Sequence, residues 1–69
     1  MSWEYRIVEY ADGISFGLHE VYYEDGEPMR MEQEPACFAG ESAEEVREEL
    51  LLAHTDAVRR PVFKEPDDW

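Results

Sequence analysis

The sequence predicts an α+β domain: a three-stranded antiparallel β-meander followed by one long C-terminal helix packed on one face (βββα). Two Asp-Gly dipeptides, Asp12-Gly13 and Asp25-Gly26, each follow a run rich in aromatic and β-branched residues, the signature of tight hairpins. Ser42 and Glu45 open a stretch of helical apolar spacing that Pro61 closes. Sixty-nine residues make one domain and no more, so meander and helix share a single core.

Trp3 to Tyr10, "WEYRIVEY", is the first strand and Ile14 to Tyr23, "ISFGLHEVYY", the second. Between them Asp12-Gly13 suits a two-residue turn, which demands positive φ at both positions. "EDGE", Glu24 to Glu27, repeats the device before a weaker third run from Met29 to about Glu34. Pro28 cannot donate a ladder hydrogen bond, so that strand begins at the proline or lies at an edge. "EPACFAG" reads as a connection with a short extended piece at Cys37–Phe38.

The helix has an N-cap at Ser42 and a capping box completed by Glu45. Glu44, Glu45, Glu48 and Glu49 crowd the first turns, where the macrodipole favours anions, and Arg59 and Arg60 sit at the end that favours cations. Ala43, Val46, Leu50, Ala53 and Ala57 form one apolar stripe, widened by Leu51 and Val58, with Leu52 off it. The folded unit is expected to span residues 1–63, with Val62 and Phe63 folding back onto the core. Residues 64–69 then form a flexible acidic tail.

A two-residue first turn pairs Ile7 with Leu18, Arg6 with His19, Tyr5 with Glu20 and Trp3 with Tyr22. One face then carries Trp3, Tyr5, Ile7, Ile14, Phe16, Leu18 and Tyr22, and the helix is expected to cover it. The other carries Arg6, Val8, Tyr10, His19, Val21 and Tyr23. Glu20 falls on the aromatic face, where a carboxylate must reach the rim, pair or take up a proton. A one-residue bulge at the turn would move it outward, and both registers stay open on sequence alone.

Composition narrows the function classes. Six basic against eighteen acidic side chains give a formal charge of −12, which opposes nucleic acid and anionic membranes. A basic protein partner stays compatible with it. The N-terminus has no basic, apolar leader pattern and no apolar run approaches a membrane span, so a cytoplasmic protein is expected. The single Cys37 excludes an intrachain disulfide and suits a reducing compartment. A chain this short buries only about 60% of its unfolded surface, and association is the support left to it.

No catalytic, metal-binding or cofactor-binding constellation stands out. His19 and Glu20 are neighbours on a strand and point to opposite faces, so they cannot converge on one substrate atom. Cys37 has no basic neighbour to lower its thiol pKa. One cysteine with His19 and His54 offers no zinc spacing, and the helix glutamates have no facing histidine. Gly13, Gly17, Gly26 and Gly40 are too dispersed to cradle phosphate.

"YRIVEY", "HEVYYEDGEP", "GESAEEVREEL" and the closing "PVF" together resemble a group of small bacterial proteins of about this length that have no established function. Those proteins share a Y-R-[VI]-V start, an HEVYY…G.P centre, a GE[ST].EE[LV] helix start and a closing PV. The likeness covers most of Trp3 to Phe63 and carries no catalytic residue with it. More distantly, three strands followed by "GESAEEVREEL" look like the N-terminal domain of HicB-type antitoxins, in which G-[DE]-[ST]-x-x-E-A opens the helix. No DNA-binding segment is expected after the helix here, so that resemblance implies no autoregulation. Toxin neutralisation by an acidic surface would be a fold-level analogy.

The expected function is a non-enzymatic protein-interaction module, a homodimer associating through its sheet. Val8, Tyr10, Val21 and Tyr23, with His19 at the rim, are the expected interface, because one helix can cover only one side of a sheet. The alternative is an antitoxin-like binder of a small basic protein, using Glu44, Glu48 and the acidic turns. A small metal-dependent enzyme is the remote third class.

Overall fold

The computed structural model describes residues 1–69 as β1 (Ser2–Glu9), β2 (Phe16–Glu24), β3 (Glu27–Met31), α1 (Ala43–Arg59) and β4 (Phe63–Lys64). The strands form one sheet in the order β3-β2-β1-β4, antiparallel except for the parallel β1/β4 pair. The meander and the single helix follow the expectation; the fourth strand was not foreseen. It reaches β1 through the crossover that α1 supplies, as a parallel pairing requires.

β4 also corrects the expected tail. Val8 pairs with Phe63 and Glu9 with Lys64. The Glu65 amide donates to the Glu9 carbonyl at 2.9 Å, and the Ala11 amide donates to the Glu65 carboxylate at 3.0 Å. Trp69 stacks on Phe63 with ring centroids 5.4 Å apart. The segment from residue 64 onward is tied to the sheet because β1 otherwise presents an unpaired edge.

Of the two registers left open, the first hairpin takes the one without a bulge, with Trp3 opposite Tyr22, Tyr5 opposite Glu20 and Ile7 opposite Leu18. Its loop is wider than two residues. Tyr10 and Ser15 bond at 2.9 Å, the Gly13 amide donates to the Tyr10 carbonyl, and Gly13 alone takes positive φ, +72°. The Asp12 side chain explains the choice. It accepts from the Ile14 amide (2.8 Å), the Ser15 amide (3.1 Å) and the Ser15 hydroxyl (2.9 Å), bonds that hold its carboxyl below the usual range. At the second hairpin Asp25 (φ +53°) and Gly26 (+79°) make the two-residue turn expected of Asp-Gly. Met29 is the extra residue of a bulge on β3, an edge strand that accommodates Pro28.

Ser42 caps α1 by accepting from the Glu45 amide at 3.2 Å, while the Glu45 carboxylate reaches the Glu41 amide at 2.7 Å. The helix packs on β1 through a stripe that keeps Val46, Ala53 and Ala57 of the expected one but is rotated to take in Glu49 and Asp56. Val46, Glu49, Ala53, Asp56 and Ala57 turn inward; Leu50, Leu51, Leu52 and Val58 are exposed. Polar contacts set this rotation. Asp56 accepts from the Tyr5 amide at 3.2 Å, and the Tyr5 hydroxyl donates to Glu49 at 3.4 Å. An open amide on β1 therefore finds a partner on the helix.

The two sheet faces exchange their expected roles. Val8, Val21 and Tyr23 form the core, with Tyr10, Met31 and Phe63 packed around them. Tyr5 is the buried member of the other face, against Trp3 and Phe38, while Trp3, Ile7, Ile14 and Phe16 stay exposed. The cause is β4. Phe63 and the segment after it supply apolar cover to the face that the helix was not expected to reach.

Candidate functional site

The residues expected to form an interface are therefore mostly interior. Val8 and Val21 have no exposed surface, Tyr23 and His19 are buried, and Tyr10 is half-buried against the core. As a free apolar patch this set is corrected by its burial.

His19, only 1% exposed, is the largest fully buried side chain. Its Nδ1 lies 2.8 Å from the Glu32 carbonyl oxygen, an obligate acceptor, so Nδ1 carries a proton. Nε2 lies 2.6 Å from the Tyr10 hydroxyl, within hydrogen-bond distance, in an edge-on arrangement of the two rings. Both ring nitrogens thus have a hydrogen-bond partner. Gly17 makes room for the pair, since a Cβ there would overlap the Tyr10 hydroxyl and come 3.2 Å from His19 Nε2.

Glu20 faces the other way. Its carboxylate accepts from the Tyr22 hydroxyl at 3.0 Å, and that hydroxyl also lies 3.2 Å from a Glu32 carboxylate oxygen. The Glu20 hydrogen bond, followed by desolvation and the carboxylate charges, pushes the Tyr22 phenol up to about 12. Burial first, then the Glu49 carboxylate, raises Tyr5 in the same direction. A raised phenol pKa means the folded chain holds its proton above the pH at which the unfolded chain releases it. This stabilisation is complete below about pH 10 and is lost as pH rises from there to about 12. Spectrophotometric titration should show a tyrosine ionising near 12, and Glu20→Gln should return it towards 10; a wild-type titration complete by pH 10.5 contradicts the geometry.

A second polar cluster joins β1 to the end of α1. Glu4, buried, accepts from the Tyr23 hydroxyl at 3.1 Å, Arg60 Nε at 2.6 Å and an Arg59 nitrogen at 2.7 Å. Arg59 also reaches Asp56 at 3.2 Å. Arg6 donates to the Tyr23 hydroxyl (3.1 Å) and the Pro61 carbonyl (2.7 Å), lies 5.1 Å over the Phe63 ring, and leaves Nε without a partner. Neither Glu4 nor Arg6 is among the expected site residues. The available signal was their shared parity with Val8, Val21 and Tyr23.

Beside the Tyr22 cluster, Glu20 and Glu32 together with Glu34, Pro35, Ala36 and Cys37 line an open cleft of about 260 Å³, and Cys37 is exposed. Glu44 pairs with Arg47 at 3.5 Å on the outer face of α1. His54 is also exposed there, next to Leu51 and Val58. No helix is long and apolar enough to cross a membrane. Comparison with family models, with curated proteins and with solved structures gave no match to the chain.

Proposed function

We propose that the chain is a non-enzymatic protein-interaction module that works as a homodimer. The observation that carries this reading is the distribution of large apolar side chains. Twelve are exposed, among them Trp3, Ile7, Phe16, Leu50, Leu51, Leu52 and Val58, whereas the buried hydrophobic core comprises Tyr5, Val8, Val21, Tyr23 and Ala53. A core this small stabilises a 69-residue chain only marginally, and its exposed large apolar side chains offer surface for association. A second copy supplies the missing cover. The exposed, unpaired Cys37 fits a reducing compartment such as the cytoplasm.

Dimerisation coupled to folding makes the melting temperature rise with protein concentration. The expected result is an upward shift across a hundredfold concentration range; a melting temperature independent of concentration opposes the reading.

One observation favours a second reading, an acidic binder of a small basic protein. Glu20, Glu32 and Glu34 gather around one open cleft, and Glu44 and Glu48 stand exposed on α1. Such a complex would weaken steeply with salt, so tight binding that is indifferent to salt would argue against it.

A further inference from the structure

We infer that the free face of α1 pairs antiparallel with α1 of a second copy, with Leu51, His54 and Val58 in the seam. The inference rests on the homodimer reading and adds the surface to it. α1 packs on β1 through Val46, Glu49, Ala53 and Asp56. Its opposite side carries Arg47, Leu51, His54 and Val58, at intervals of four, three and four, the spacing of a helix-pairing seam. All four are exposed, and Leu51 (67%) and Val58 (66%) are among the most exposed large apolar residues of the chain.

Charge selects the occupant. The first turns carry Glu44, Glu45 and Glu48, whereas Arg59 and Arg60 stand at the other end. There three arginines (with Arg6) meet two carboxylates, Glu4 and Asp56, leaving a local excess of one positive charge in a chain of net −12. Arg59 and Arg60 are about half exposed and bond Glu4 through only part of their guanidinium groups, so donors remain free. A uniformly basic partner would suit one end of the helix and meet like charge at the other. A second copy laid antiparallel suits both ends, and it opposes the two helix dipoles favourably. Leu51 is the midpoint of Ala43–Arg59, so helices about 25 Å long that cross near it bring the acidic turns of each beside the arginines of the other.

The test is sedimentation equilibrium on the wild type, Leu51→Glu, Val58→Glu and the control Ile14→Glu, with circular dichroism to confirm the fold. All three sites are exposed, so each variant should fold. The expected result is a wild-type dimer whose dissociation constant rises on the order of 30-fold or more in either helix variant and stays put in the control. Helix variants that dimerise with wild-type affinity, or dissociation by Ile14→Glu alone, overturn the helix surface and leave the homodimer reading standing. A monomeric wild type overturns both.

Discussion

Glu4→Ala is expected to destabilise the fold by about 3 kcal/mol, at the low end of the range for breaking a buried ion pair because its arginine partners are half exposed. One carboxylate takes bonds from Tyr23, Arg59 and Arg60, and through Tyr23 it also steadies Arg6. Its removal leaves Arg6 and the Tyr23 hydroxyl in the interior without their nearest anion. At roughly 0.05–0.15 kcal/mol per residue the whole chain is stable by about 3–10 kcal/mol, so this one change removes about a third of the stability or more. Urea unfolding reads it as a lower midpoint with an unchanged slope. Glu4→Gln, which keeps the shape and one acceptor, should cost less. A midpoint unmoved in Glu4→Ala would show that the cluster is a surface arrangement with no bearing on stability.

The second large effect is expected at His19. His19→Ala removes the largest fully buried side chain and leaves both the Tyr10 hydroxyl and the Glu32 carbonyl without their partner. A cavity together with unsatisfied polar groups should cost about 3–4 kcal/mol. Tyr10→Phe removes only the hydroxyl and should cost about 1 kcal/mol. The comparison separates packing from hydrogen bonding. If His19→Ala costs no more than Tyr10→Phe, the imidazole is not the packed, doubly bonded group described above. Such a loss would be one of stability, distinct from the loss of a catalytic base, because Glu20 points to the opposite face and bonds Tyr22.

Local chemistry in the chain was legible, and the choice of inner face was not. The Asp-Gly turns, the strand pairing and the Ser42 cap each depend on a few neighbouring residues. The first register was open on sequence, and Asp12 builds a wider loop that adds no residue to the ladder, so the alignment of a two-residue turn results. A period of two, however, says only which residues share a face. Both faces carry aromatic and aliphatic residues, and Glu4 and Arg6 put charge on the face that forms the core. Their cost is offset by Tyr23, Arg59, Arg60 and the Pro61 carbonyl, partners that lie far away in sequence. The helix stripe was legible only in part, at Val46, Ala53 and Ala57, for a related reason. Glu49 and Asp56 turn inward to meet Tyr5, and apolar spacing carries no trace of that. β4 is two residues long, too short for any periodicity. It nonetheless decides the inner face by bringing Phe63 over Val8 and Val21.

Burial of Val8, Val21 and Tyr23 removes the face the sequence suggested for association, and the proposed dimer surface lies instead among the exposed apolar residues of α1 and the outer sheet. Self-association is the claim on which the functional account stands. Its most direct test is the native mass of the wild-type protein by size exclusion with light scattering, at low and high salt. The account predicts twice the chain mass of 8.1 kDa at both, because apolar contact persists when charge is screened. A mass of one chain at both salts would contradict it.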